Sequence, residues 1–147
     1  MSKFARCMAL GAMTIALAGI AGPQLLAHGD VTPQAVDTSA LPDIEGGNDV
    51  WVAKNPYSGN AKAIEIGSSA YNQNCARCHG LEVISGGLAP DLRGLDEGKP
   101  GDEWFIERIR HGAKKPDGST MMPPFEGVMN QEAMWAIRSY VESVPKE

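Results

Sequence analysis

Cysteine is scarce in this chain, which has three among 147 residues. Cys7 lies near the N-terminus, and the rest of the chain has only Cys75 and Cys78. A disulfide between two cysteines this close would close almost no loop and would stabilise the fold little. A structural zinc site needs four ligands, and only two histidines lie outside the segment that contains this pair. The scarcity argues against both a disulfide scaffold and a structural zinc site.

The apolar run from Met8 to Ile20 is shorter than the ~20 residues that a membrane-spanning helix requires. Lys3 and Arg6 precede this run, and small residues follow it. This order is typical of a secretory signal peptide. We therefore predict that residues 1–27 are a signal peptide, that the mature protein is periplasmic, and that no stable membrane insertion follows its removal. A retained membrane anchor is the alternative.

The chain has fewer basic than acidic residues. It has 13 lysines and arginines and 18 aspartates and glutamates, which gives a net charge of −5. Loss of two positive charges with the signal peptide takes the net charge of the mature protein to −7. An acidic protein is poorly suited to bind nucleic acid or an anionic membrane surface. The charge therefore argues against both of these partners.

Residues 28–60 have no lasting hydrophobic period and combine several prolines and glycines with scattered acidic side chains. Such composition predicts an extended N-terminal arm rather than a helix or strand. Its apolar residues Trp51, Val52 and Tyr57 are expected to pin it to the domain that follows, residues 61–147.

Apolar residues at helical spacing predict three helices in that domain, whereas no strand is predicted. The first helix covers residues 62–74, and the second runs from an Asp102 cap to about Arg110, before Gly112. The last helix begins near Asn130 and turns one stripe inward. This stripe consists of Met134, Ile137, Val141 and Val144. The fold class is therefore all-α with long loops, and a large cofactor that the loops surround would account for their length.

The five residues Cys75-Ala76-Arg77-Cys78-His79 form the C-x-x-C-H pattern of c-type haem attachment. Each cysteine can add to one haem vinyl group and form a thioether, and the adjacent histidine can bind the iron. A thioredoxin-like redox pair requires a preceding strand and a βαβ context, and neither is predicted. The motif therefore predicts one covalent haem c that is attached through Cys75 and Cys78, with His79 as an axial ligand.

The second axial ligand decides the chemistry, since a thioether closes the iron whereas an open position would suggest gas binding or peroxidase activity. Met122-Pro123-Pro124-Phe125 is a stiff, helix-free segment that can present one methionine. Neighbours in an extended segment point to opposite sides, so only one of Met121 and Met122 can reach the iron. We favour Met122, because the following proline restricts its own backbone. His111 is a bis-histidine alternative, but its place beside Gly112 favours a capping role.

Residues 62–144 resemble a class I c-type cytochrome. The shared elements are a helix with Gly67 and Tyr71, then C-A-R-C-H, A-P-D-L-R-G-L, M-P-P-F and a final helix ending in A-I-R-S-Y-V. The resemblance implies the class I cytochrome c fold, with three to five helices and long loops wrapped around one covalently attached haem. It further implies that the first and last helices cross at Gly67, near Tyr71 and Tyr140.

The same resemblance implies roles for the loop after the haem motif. Its Pro90 carbonyl would accept a hydrogen bond from the ligand histidine, and its Leu92 would pack on the haem. Arg93 would either face a haem propionate or stand exposed in the loop.

Longer stretches resemble a narrower group, the periplasmic cytochromes c-550 that accept electrons from PQQ-dependent (quinoprotein) alcohol dehydrogenases. These stretches are H-G-D-V-T-P-Q, N-Q-N-C-A-R-C-H-G-L, G-D-E-W-F-I-E-R-I-R-H-G-A and M-P-P-F. The resemblance implies a one-electron carrier rather than an enzyme, with a quinoprotein dehydrogenase as donor and a terminal oxidase or another cytochrome as acceptor. The alternatives are a cytochrome subunit of another dehydrogenase or oxidase complex, and a small haem peroxidase.

Overall fold

The computed structural model describes residues 32–146. The predicted signal peptide, Cys7 and His28 lie outside the described residues. In chain order, the described elements are α1 Ala61–Asn74, α2 Ala76–His79, α3 Lys99–His111, β1 Ala113–Lys114, β2 Thr120–Met122 and α4 Gln131–Ser143, with 3₁₀ turns at Leu81–Val83 and Leu92–Gly94. None of the helices in this range is both long and apolar enough to cross a membrane.

Helices α1 and α4 cross at the centre of the fold, as the resemblance implies. Gly67 is buried at the crossing, and a Cβ built on it would lie 1.9 Å from the carbonyl oxygen of Ala136. The backbones therefore touch there without a side chain between them. The rings of Tyr71 and Tyr140 pack beside the crossing, with centroids 5.3 Å apart. Asn60 fixes the start of α1, because its side chain accepts hydrogen bonds from the first-turn amides.

Helix α4 is buried on nearly every face rather than along one stripe. Met134, Ile137 and Val141 are buried as predicted, whereas Val144 lies just beyond the helix and is half-buried. Trp135 is also fully buried and packs near Phe105 of α3. A helix that is covered all round belongs to the centre of a fold, so α4 is the element on which the others assemble.

The prediction that Asp102 caps the second helix is wrong. Helix α3 already begins at Lys99, with a proline in its first turn, a position that proline favours. The Asp102 carboxylate is buried instead, 2.9 Å from Nε of Arg138 and 3.0 Å from the backbone nitrogen of Asn55. The Asp102 carboxylate therefore connects α3 to α4 and to the segment before α1.

The prediction that the chain has no strand is also wrong. Strands β1 and β2 pair antiparallel, with Ala113 opposite Met122 and Lys114 opposite Thr120. The Pro-Asp-Gly turn between them is closed by hydrogen bonds between Lys115 and Ser119 and between Gly118 and Lys115, both 2.9 Å. Strands of two and three residues are too short to show an alternating pattern, so the sequence does not reveal them.

Residues 32–60 contain no helix or strand, yet they lie closely against α4. The backbone of Ile44 donates to the Glu132 carboxylate at 3.2 Å, and the backbone of Val52 donates to the Gln131 side chain at 3.3 Å. The side chains of Gln131 and Glu132, in the first turn of α4, therefore accept hydrogen bonds from backbone amides of residues 32–60. Ile44 and Leu41 are buried here, although their isolated positions in the sequence give no periodic signal.

The predicted anchors of this segment differ in burial. Tyr57 is buried, whereas Trp51 and Val52 are half-buried against the core. The Tyr57 hydroxyl donates a hydrogen bond to the carbonyl of Pro42. Burial, together with the nearby carboxylates of Glu132 and Asp43, raises the pKa of Tyr57 to about 12.

Candidate haem-attachment site

The C-x-x-C-H motif forms one tight helical turn immediately after α1. Cys75 ends α1 and begins α2, and its carbonyl accepts hydrogen bonds from the amides of Cys78 at 3.1 Å and His79 at 2.9 Å. The two thiols and the imidazole are therefore held on a single turn of backbone. Both cysteines are free; Cys75 is buried and Cys78 is half-buried.

The environment of Cys75 does not activate a thiol. Burial, with a smaller contribution from Cys78, raises the pKa of the Cys75 thiol to about 12. Redox-active dithiol pairs depend on a lowered thiol pKa. The raised pKa of Cys75 therefore argues against a thioredoxin-like nucleophilic role for this thiol.

His79 makes the contact that the resemblance implies. Its Nδ1 lies 2.9 Å from the carbonyl oxygen of Pro90. A histidine that donates from Nδ1 keeps the lone pair of Nε2 for a metal, and such an outer contact fixes the plane of the ring. His79 is thus oriented by the loop that follows the motif.

The loop that contains Pro90 is itself fixed by Asp91. The Asp91 carboxylate accepts a hydrogen bond from the Ser85 amide at 3.3 Å and forms a 2.7 Å ion pair with Arg93. The side-chain hydrogen bond from Arg93 is the main cause that holds the pKa of Asp91 well below its usual range. The Arg93 side chain is 12% exposed, so the alternative of a freely exposed arginine is wrong.

Leu92 and Tyr71 lie in the same region. Leu92 is buried in the 3₁₀ turn that touches α4. The Tyr71 hydroxyl donates to the carbonyl of Gly80, the residue directly after the motif, at 2.9 Å. Burial raises the pKa of Tyr71 far above its usual value, so the hydroxyl remains a donor. Helix α1 therefore holds both ends of the motif turn.

The two candidate methionines point in different directions on β2. Met121 is 62% exposed, whereas the side chain of Met122 packs against the core. This alternation is what a short strand imposes on neighbouring residues. The geometry therefore supports Met122, rather than Met121, as the methionine that is available to a buried ligand.

The other ligand candidates have different surroundings. His111 is 54% exposed and lies between two carboxylates, 3.4 Å from Glu107 and 3.5 Å from Glu126. Met129 and Met134 are both buried in the core, so the prediction that Met134 packs in the core is confirmed. These contacts place His111 at the exposed end of α3, where it lies against carboxylates, and favour a solvent-facing position over a bis-histidine ligand.

The residues present fit a covalent haem. The motif offers two unbridged thiols and an imidazole oriented through Nδ1, and β2 offers a thioether. The loop after the motif also exposes the large apolar side chains of Leu81, Ile84 and Leu88, which are available to contact a haem. Within residues 32–146, no group of three or more histidine, cysteine, aspartate or glutamate side chains is arranged to hold a metal ion.

Comparison with known proteins supports the same conclusion. Residues 62–141 match the family model described as cytochrome c oxidase, cbb3-type, subunit III. Cytochrome c550 of Pseudomonas aeruginosa is 55% identical over 132 residues, which cover 88% of this chain and 90% of that protein.

Parts of two longer proteins are also similar. The quinohemoprotein alcohol dehydrogenase ADH IIB of Pseudomonas putida is 36% identical over 60% of this chain, although the match covers only 12% of that enzyme. The cbb3-type cytochrome c oxidase subunit FixP of Rhizobium meliloti is 37% identical over 56% of this chain and 30% of that subunit. Together with the match over most of the cytochrome c550, these similarities show that the chain belongs to the cytochrome c family, as an electron-transfer protein with one covalently bound haem c.

Proposed function

We propose that this protein is a periplasmic carrier that accepts single electrons from a PQQ-dependent alcohol dehydrogenase and passes them towards a terminal oxidase. The observation that carries the proposal is the 55% identity to a cytochrome c550 over 88% of the chain. A segment of a quinohemoprotein alcohol dehydrogenase is similar as well. In an enzyme that contains such a segment, the segment can act as a nearby electron acceptor. A separate cytochrome can accept the electrons from an alcohol dehydrogenase that lacks this segment.

The residues of the site take distinct parts in this proposal. Cys75 and Cys78 would hold the haem through thioethers, which would prevent its loss in the periplasm. His79, oriented by Pro90, and Met122 would bind the haem iron, and Leu92 would pack against the haem. Haem in this setting supplies a one-electron redox couple whose potential depends on these two axial ligands.

A closed iron favours electron transfer over catalysis. With His79 and Met122 both bound, no position is left for peroxide or oxygen. The protein then needs no substrate pocket, and partners need only a small, short-lived interface. This arrangement argues against the haem-peroxidase alternative.

Export to the periplasm rests on residues 1–27. Their order of positive charges, apolar run and small residues is that of a signal peptide. A dehydrogenase partner would be met in the same compartment, where the covalent attachment of haem is most useful.

An oxidase-bound role is the second candidate. The matching family model and FixP are both described as cbb3-type oxidase subunits. A subunit of this kind would remain with a membrane complex after the signal peptide is removed. Recovery of the mature protein from washed membranes, rather than from the periplasmic fraction, would favour this second role.

Reduction kinetics test the proposed donor. We expect a purified PQQ-dependent alcohol dehydrogenase, supplied with alcohol, to reduce the ferric protein by one electron with a rate constant on the order of 10⁵–10⁷ M⁻¹s⁻¹. Stopped-flow absorbance at the haem bands would follow the reaction, and the same mixture without alcohol is the control. No measurable reduction by any such dehydrogenase, together with fast reduction by another periplasmic donor, would contradict the proposal.

A further inference from the structure

The segment that contains Met122 is hydrogen-bonded to the C-terminal end of α3. The amide of Phe125 donates to the carbonyl of Ile109 at 3.0 Å, and the amide of Glu126 donates to that of Arg110 at 3.4 Å. These carbonyls belong to the last turn of a helix, where no partner within the helix is available. On the other side of the prolines, Met122 pairs with the first residue of β1. Both flanks of the Met-Pro-Pro segment are therefore fixed to the same helix end.

Gly112 allows this close approach. Its φ of +69° lies in the left-handed region, and a Cβ at this position would lie 2.3 Å from the carbonyl oxygen of Met122 and 2.8 Å from the carbonyl carbon of Pro123. The end of α3 is thus in direct contact with the backbone of Met122, the candidate ligand. A displacement of this helix end would be transmitted to Met122.

Arg110 connects this helix end to the segment before α1. Its guanidinium carbon lies 4.0 Å from the centre of the Trp51 ring, and its Nη2 lies 3.1 Å from the Glu126 carboxylate. A second ion pair, 3.3 Å long, joins Nη1 to Glu107. The Arg110 side chain is only 16% exposed, so these contacts are partly shielded from water. The Trp51 ring therefore packs on Arg110, and Arg110 pairs with Glu126, the residue after Phe125.

We propose that Arg110, stacked on Trp51, is a positioning residue that holds the Met122 segment in place and so strengthens the bond between iron and methionine. The inference rests on the proposed ligation by Met122. Residues 32–60 then contribute to the site, because the Trp51 ring stabilises the ion pair between Arg110 and Glu126. This ion pair lies on the other side of the two prolines from Met122. Neither Trp51 nor Arg110 needs to contact the haem for this effect.

Competition with imidazole measures the strength of this bond. Imidazole replaces a weakly held methionine at ferric iron, so its apparent affinity rises as the methionine segment loosens. We expect Trp51→Leu and Glu126→Gln each to raise the imidazole affinity of the ferric holoprotein by about three- to tenfold. Because both variants act through Arg110, the double variant should show less than the product of the two effects.

Two matched variants control for general loosening of the protein. Glu103→Gln removes an exposed ion pair with Lys99, 3.4 Å long, in the first turn of the same helix. Glu65→Gln removes an exposed ion pair with Lys62 on α1. We expect both controls to bind imidazole as the wild type does. A role in overall stability alone would lower the unfolding temperature of the test variants without changing imidazole affinity in the folded protein.

Met122→Ala separates this inference from the function on which it rests. It should bind imidazole more tightly than any other variant. If Met122→Ala binds no more tightly than the wild type, the proposed ligand is wrong. If it binds more tightly while Trp51→Leu and Glu126→Gln match their controls, the ligand stands and only the positioning role is overturned.

Discussion

Replacing Gly67 by alanine is expected to lower the free energy of unfolding of the holoprotein by about 3 kcal/mol or more. The new Cβ would lie 1.9 Å from the carbonyl oxygen of Ala136 and 2.4 Å from its carbonyl carbon. Both are backbone atoms inside helix α4, so no side chain can rotate away. The two helices must separate, and the buried contacts of the core are lost with them. The higher helix propensity of alanine, worth about 1 kcal/mol, offsets only part of this loss.

Urea unfolding followed by far-ultraviolet circular dichroism measures this change, and Gly86→Ala is the matched control. Nothing lies within 4 Å of a Cβ built on Gly86. The control should therefore stay within about 0.5 kcal/mol of the wild type. Equal stability of Gly67→Ala and Gly86→Ala would show that the helices do not touch at Gly67.

Replacing Asp102 by alanine is expected to cost about 3–5 kcal/mol of folding stability. Asp102 and Arg138 form a 2.9 Å ion pair in which both side chains are 2% exposed. Arg138 also donates to the carbonyl of Asp96 at 2.6 Å, and Asp102 accepts from the amide of Asn55 at 3.0 Å. Removal of the carboxylate leaves a buried guanidinium and a buried amide without one of their partners, and such groups are costly in a dry interior.

Glu103→Ala is the control for Asp102→Ala, because it removes the neighbouring carboxylate of the same helix. Glu103 pairs with Lys99 at 3.4 Å, and the two side chains are 50% and 67% exposed. Exposed pairs of this kind contribute little, so the expected loss is at most about 0.5 kcal/mol. If chemical denaturation gives similar losses for the two variants, the ion pair at Asp102 does not stabilise the fold as inferred.

The parts of the fold that the sequence predicts are those with local signals. The motif turn around His79 follows from residues within one helical turn, and the predicted first helix, 62–74, differs from α1 by one residue at its start. The end of α3 at Gly112 follows from the need for a left-handed residue there. These features depend on neighbours in the chain, so a single sequence reveals them.

The parts that were missed depend on partners far away in the chain. Asp102 has the sequence appearance of a cap, and its actual partner lies 36 residues further on. Leu41 and Ile44 are buried, and the Ile44 amide donates to Glu132 of α4, which no periodicity shows. The sequence predicts that Trp51 anchors its segment, but not that its ring packs on Arg110. The sequence therefore indicates the candidate haem-binding residues and, through the resemblance, the contact of His79 with Pro90, but not the more distant contacts around them.

The most direct test of the closed iron site is the weak far-red absorption band of the ferric protein, which reports a bond between iron and a methionine sulfur. We expect the wild type to have this band, Met121→Ala to keep it and Met122→Ala to lose it. The exposed side chain of Met121 and the packed side chain of Met122 are the structural basis of this difference. Absence of the band from the wild type, or its survival in Met122→Ala, would show that Met122 does not bind the iron.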